Sequence, residues 1–208
     1  MTCTRRPRPR DLDAVGEDSV MAPAPDRTDH APGDRSPAIE PDGKDWTWVL
    51  RAPCPDCGFD AGSVASRQVA SAVRQNAARW VAVCARVDSR ARPQPGVWSP
   101  LEYACHVRDV CRLMDMRVNL LRSQEDPVLE SYDQDAAAIA NAYSSQDPAL
   151  VSVELLDAAE AAAASFEAVG DGTWQRTGRR SDGSVFSIET LGQYFLHDLT
   201  HHLCDVSG

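Results

Sequence analysis

The sequence predicts an all-α fold, an antiparallel four-helix bundle over residues 45–208 behind a disordered tail, residues 1–44. Three observations predict it. Apolar residues recur at helical spacing in several long segments. Clear helix starts precede two of them, at Ser99-Pro100-Leu101-Glu102 and at Ser187. No internal repeat and no strand-rich segment interrupts the pattern.

The tail comes first. Residues 1–44 hold seven prolines and many charges but almost no large apolar side chain. Such a segment buries too little surface to offset its ordering entropy. Order is expected from Asp45-Trp46-Thr47-Trp48, followed by a turn-rich knuckle, Pro53-Cys54-Pro55-Asp56-Cys57-Gly58. A first helix runs from Ser63 or Val64 to about Arg86, with Val69, Val73, Trp80 and Val83 at helical spacing.

The second helix has the clearest start in the chain. Ser99 and Glu102 form a capping box, and Pro100 occupies the first helical position. The helix continues to about Arg122, with His106 centred on its apolar stripe and Asp109 on the flank. A polar loop, Ser123 to Asp135, contains Tyr132-Asp133-Gln134-Asp135, a stretch able to overhang the pocket. A third helical region follows, one helix or two, broken near Gln146-Asp147-Pro148. A loop with Trp174 and Arg179-Arg180-Ser181-Asp182-Gly183 leads to Ser187, the N-cap of the last helix, Ile188 to about Val206.

The last helix carries Thr190, Gln193, Tyr194, His197, His201 and Cys204 on one face, and Leu191, Phe195, Leu199 and Leu203 opposite. A His-x-x-x-His pair sets two imidazoles about 40° apart around a helix and about 6 Å apart along it. That suits two ligands on one ion. His106 from the second helix completes a three-histidine set, the open pattern of a catalytic metal. His202 falls about 140° from His197 among apolar residues, and Asp198 is expected to face elsewhere. Asp109 and Tyr194 are the candidate catalytic groups beside the metal. Asp109 accepts from His106 or shapes the pocket, and Tyr194 orients substrate.

Cys54-x-x-Cys57 is half of a zinc site by spacing. Three readings stay open: plain turn cysteines, half of a metal site completed elsewhere, or a redox pair. Cys204, one turn beyond His201, is a further candidate ligand. Seven cysteines, an odd and scattered set, do not make a disulfide scaffold. They fit a reducing cytoplasm, as does the absence of an apolar leader segment in the first 30 residues. A net charge of −10 without a basic run excludes nucleic acid and anionic membranes as favoured partners. The arginines Arg108, Arg112 and Arg117, or Arg176, Arg179 and Arg180, offer carboxylate-binding groups.

The stretch Trp98-Ser99-Pro100-Leu101-Glu102-Tyr103-Ala104-Cys105-His106, with His197 and His201 near the end of the last helix, resembles the DinB-like superfamily of four-helix-bundle metalloproteins. The resemblance extends loosely over residues 64–206. It implies a divalent metal on His106, His197 and His201: zinc, nickel or iron. It also implies kinship with thiol S-transferases that use bacillithiol or mycothiol, and with mycothiol-dependent maleylpyruvate isomerases. The expected function is a metal-dependent transferase that activates a low-molecular-weight thiol, mycothiol, for attack on an electrophilic small molecule. Metal-dependent hydrolysis or isomerisation is the enzymatic alternative. The non-enzymatic one is a metal-binding stress or sensor protein whose bundle forms a homodimer interface. The segment Trp46–Asp60 has no counterpart in the thiol transferases.

Overall fold

The computed structural model describes Ile39 and residues 44–208. The expected tail, residues 1–44, lies outside the described residues except for Ile39 and Lys44. Four long helices form the bundle: α1 (Val69–Cys84), α2 (Pro100–Ser123), α4 (Pro148–Glu167) and α5 (Ile188–Asp205). A short α3 (Gln134–Ala140) precedes α4.

Helix α2 begins as its sequence dictates. The Ser99 hydroxyl accepts from the Glu102 amide, and the Glu102 carboxylate accepts from the Ser99 amide at 2.8 Å. The Ser187 hydroxyl likewise caps α5 by accepting from the Thr190 amide at 3.1 Å. The third helical region is two helices, with a single 3₁₀ turn, Tyr143–Ser145, before Asp147 caps α4. Helix α1 starts later than expected. Residues Ala61–Ser63 and Ser66–Gln68 form 3₁₀ turns instead.

A small sheet departs from the all-helical expectation. Strand β1 (Val128–Leu129) pairs in parallel with β2 (Thr177–Arg180), which pairs antiparallel with β3 (Val185–Ser187). The β2–β3 hairpin turns at Gly183, whose φ of +88° suits glycine. Strands of two to four residues are too short to show a period, which is why the region reads as loop.

Helix α4 packs against α1 and α2, and α5 packs against the same two helices. Trp80, Leu155, Phe166, Leu191 and Phe195 are fully buried between them. At Gly192 a Cβ would lie 3.0 Å from Phe166 Cε1 and 3.2 Å from Val69 Cγ2, so α5 meets its neighbours there at backbone distance. This contact sets the rotation of α5. The 3₁₀ turn Thr47–Leu50 covers another side of the same helix. Among the described residues, no helix is long and apolar enough to cross a membrane.

Candidate functional site

With Gly192 facing the core, the 100° step of a helix determines where the polar residues of α5 point. His197 and His201 project about 160° from Gly192, away from the core. Asp198 and His202 project about 100° to the other side. Each is an i, i+4 pair, and each finds a different partner. The three histidines expected to share one ion are thereby divided between two groups.

The first group is His106, Asp198 and His202, with one ligand atom of each within 4.8 Å of the others. His106 is 2% exposed, and neither of its ring nitrogens has a hydrogen-bond partner. Its Nε2 lies 3.7 Å from Asp198 Oδ2, and its ring centroid lies 4.9 Å from that of His202. His202 Nε2 lies 3.2 Å from Asp198 Oδ1, and His202 Nδ1 lies 3.1 Å from Asp205 Oδ2. Asp198 and His202 were expected to point elsewhere. They face α2 because α5 is covered on more than one side, so its apolar stripe alone does not define its inner face.

Burial pushes the pKa of His106 down, with Asp198 opposing, so the ring is a neutral imidazole, the form that binds metal. Burial also disfavours charge on His202, but the Asp198 and Asp205 carboxylates outweigh it and raise its pKa to about 10. The two carboxylates thus favour positive charge at this point, whether a proton or a metal supplies it.

The walls are aromatic. Trp98 lies 5.3 Å and Tyr132 6.1 Å from the His106 ring, and Tyr103 lies 5.1 Å from that of His202. Tyr132 does overhang the site from the 123–135 loop. Its hydroxyl meets that of Tyr143 at 3.3 Å, and Tyr143 donates to Asp109 Oδ2 at 2.6 Å. Asp109 also accepts from Arg108 Nε at 2.8 Å and Arg112 at 3.2 Å. It therefore supports Tyr143 and not the His106 ring, because its three-residue offset on one helix turns it towards α3 and the 3₁₀ turn. Tyr194, one turn before Asp198, packs on Phe186 at 5.4 Å and has Arg180 and Arg117 as neighbours. Arg117 is buried and donates to the Glu130 carbonyl at 2.6 Å, while its Nε has no partner. Burial and the neighbouring Arg180 charge lower the pKa of Arg117 to about 10.

The second group is Cys54, Cys57, His197 and His201, again with ligand atoms all within 4.8 Å. Cys54 Sγ lies 3.7 Å from His201 Nδ1. His197 is 4% exposed and its Nε2 has no partner. Burial and His201 push the His197 pKa down to about 4, so this ring too is neutral. Burial raises the Cys57 thiol to about 12, against the Phe59 amide, which hydrogen-bonds the sulfur. Cys204 Sγ lies 3.6 Å from the Asp56 carbonyl and stands outside this group.

Helix bundles build metal centres from side chains of facing helices, and the His106, Asp198 and His202 group, drawn from α2 and α5, has that arrangement. The sequence pattern of the DinB superfamily matches residues 70–204. The chain belongs to the DinB superfamily. Among solved structures it is similar to YfiT from Bacillus subtilis, described as a probable metal-dependent hydrolase with an unusual four-helix bundle topology. The two share 20% identity over 71% of this chain and 86% of that one, with a TM-score of 0.58. No curated protein matches.

Proposed function

We propose that the chain is a metal-dependent transferase, acting in the cytoplasm, with its catalytic metal on His106, Asp198 and His202. The observation that carries this reading is His106: a neutral imidazole inside the bundle with two unpartnered nitrogens, beside a carboxylate and a second imidazole. Buried polar atoms are rarely left unsatisfied without a reason. Two histidines and one carboxylate suit zinc, nickel or iron, and three protein ligands leave positions open. A divalent metal held there would lower the pKa of a bound thiol or water, making the deprotonated nucleophile available near neutral pH.

The chain's own residues do the rest. Asp205 fixes the orientation of His202 through Nδ1, as carboxylates commonly do for the outer nitrogen of a metal-bound histidine. Trp98, Tyr103 and Tyr132 exclude water from the His106 side. The Tyr132–Tyr143–Asp109 hydrogen-bond chain leads from the site towards Arg108 and Arg112 and holds the loop over it. Arg117 and Arg180, beside Tyr194, present guanidinium groups to a carboxylate of the substrate or cosubstrate. A low-molecular-weight thiol such as mycothiol would supply the nucleophile. Mycothiol carries no free carboxylate, so a carboxylate on Arg117 would belong to the other substrate, an electrophilic small molecule.

A second reading, hydrolysis with water as the nucleophile, draws support from the likeness to YfiT. One experiment separates the two. The metal-loaded protein is incubated with mycothiol and a panel of alkylating electrophiles, and separately with ester and amide substrates. Metal-dependent loss of free thiol, abolished in His106→Ala, supports transfer. Metal-dependent hydrolysis without thiol loss supports the alternative. Neither activity, with metal bound, overturns the enzymatic reading.

A further inference from the structure

Residues 46–63 precede the superfamily match, and the proposed catalytic site leaves the Cys54–Cys57 knuckle unused. Yet this segment meets α5 at the His197/His201 pair. We propose that Cys54, Cys57, His197 and His201 form a second, structural metal centre, a Cys₂His₂ zinc site that fastens residues 46–63 to α5.

Four observations converge on it. The first is ligand chemistry: two thiols and two imidazoles are the donor set that zinc takes in closed tetrahedral sites. The second is spacing. With zinc–ligand bonds of about 2.0–2.3 Å, tetrahedral ligand atoms stand about 3.3–3.8 Å apart. Cys54 Sγ and His201 Nδ1 are 3.7 Å apart, and all four ligand atoms lie within 4.8 Å of one another, so a small contraction completes the centre.

The third is the knuckle itself. The Gly58 amide donates to the Cys54 carbonyl at 2.8 Å, and the Cys54 amide donates to the Phe59 carbonyl at 2.8 Å. Gly58 has a φ of +73°, which closes the turn and sets both sulfurs on one side of it. The fourth observation points to a ligand directly. His197 Nε2 is buried and has no hydrogen-bond partner, in a residue that offers a ring nitrogen to the group. Plain turn cysteines or a redox pair would leave that nitrogen unexplained.

The surroundings suit a closed site. The Trp46 ring lies 5.5 Å from that of His197 and 5.1 Å from that of His201, and Phe59 lies 5.8 Å from His197. On the far side of the His201 ring, Nε2 lies 3.9 Å from Asp205 Oδ2, where the carboxylate can orient the ring. Four protein ligands under an aromatic cover leave no position for substrate. The centre is therefore structural, and it stands or falls independently of the catalytic reading at His106.

The test is cobalt substitution of the full chain with total metal analysis. Wild type is expected to bind two metals per chain. The cobalt form should show thiolate-to-metal charge transfer and the intense visible bands of a tetrahedral site. His106→Ala/His202→Ala should keep those bands and lose one metal. Cys54→Ser/Cys57→Ser should lose the bands and keep one metal. Should that variant not fold, titration of wild-type zinc protein with a mercurial reagent reads the same point, since one zinc per chain should be released as two thiols react. Cobalt-loaded wild type without thiolate charge transfer would overturn the proposal. So would bands that disappear in His106→Ala/His202→Ala, which would place the sulfurs and His106 on one ion.

Discussion

Cys54 Sγ stands 3.7 Å from His201 Nδ1, across 147 residues of sequence, and no regular element joins the two. The contact exists because α5 presents two i, i+4 pairs one residue out of register, His197 with His201 and Asp198 with His202. One pair faces the knuckle, and the other includes the Asp198 that faces His106 on α2. Asp205, one turn beyond, touches both, at 3.1 Å from His202 Nδ1 and 3.9 Å from His201 Nε2.

Asp205→Asn should therefore weaken both proposed metal sites at once. Loss of a carboxylate that orients a ligating histidine typically lowers metal affinity about 10–100-fold. Competition against a chromophoric chelator should show both metals shifted. A shift in one alone would mean that Asp205 serves only that site.

Arg117→Met should raise the KM for an anionic substrate about tenfold or more while kcat changes less, since a group that binds both ground and transition state equally acts through KM. A neutral analogue of the same substrate should show no such change. Equal losses for both would assign Arg117 to holding the Glu130 carbonyl alone.

Stability should carry an acid limb from Glu102, which is 3% exposed and accepts from Arg92 Nε at 2.9 Å and the Ser99 amide at 2.8 Å. Burial pushes its pKa up, but Arg92 and Ser99 together hold it below the ordinary 4.5. A carboxylate with a depressed folded pKa stabilises above its unfolded value, and that contribution falls away as the pH drops through the folded one. Glu102→Gln should cost about 1.5–3 kcal/mol at pH 7 and flatten the decline below pH 4.5, read by denaturant melts across that range.

Gly178→Ala should destabilise by about 1–3 kcal/mol. Its Cβ would fall 2.6 Å from Leu121 Cδ2 and 2.9 Å from the Pro127 carbonyl oxygen, which already accepts from the Arg179 amide at 3.0 Å. Leu121 can rotate, but the carbonyl cannot move without breaking the β1–β2 junction. A melting temperature equal to wild type would show that β1 shifts freely.

The helices were legible because their signals are local. The Ser99–Glu102 capping box and Pro100 fix the start of α2, Ser187 fixes that of α5, and Asp147-Pro148 divides α3 from α4. The metal-binding residue types were legible too, since a His-x-x-x-His spacing has a direct geometric meaning on a helix. The β2–β3 hairpin was not, because its strands are shorter than any period. Nor was the pairing of Cys54 and Cys57 with His197 and His201.

The order of residues alone thus determined a helical bundle, its caps, the placing of His106 on the inner face of α2, and two histidines able to share an ion. Only the tertiary structure decided which partners they meet. On a helix, neighbouring residues differ by about 100° in direction. Whether His197 and His201 or Asp198 and His202 face α2 therefore depends on how α5 is rotated. The close approach at Gly192 sets that rotation through Phe166 and Val69, residues remote in the chain.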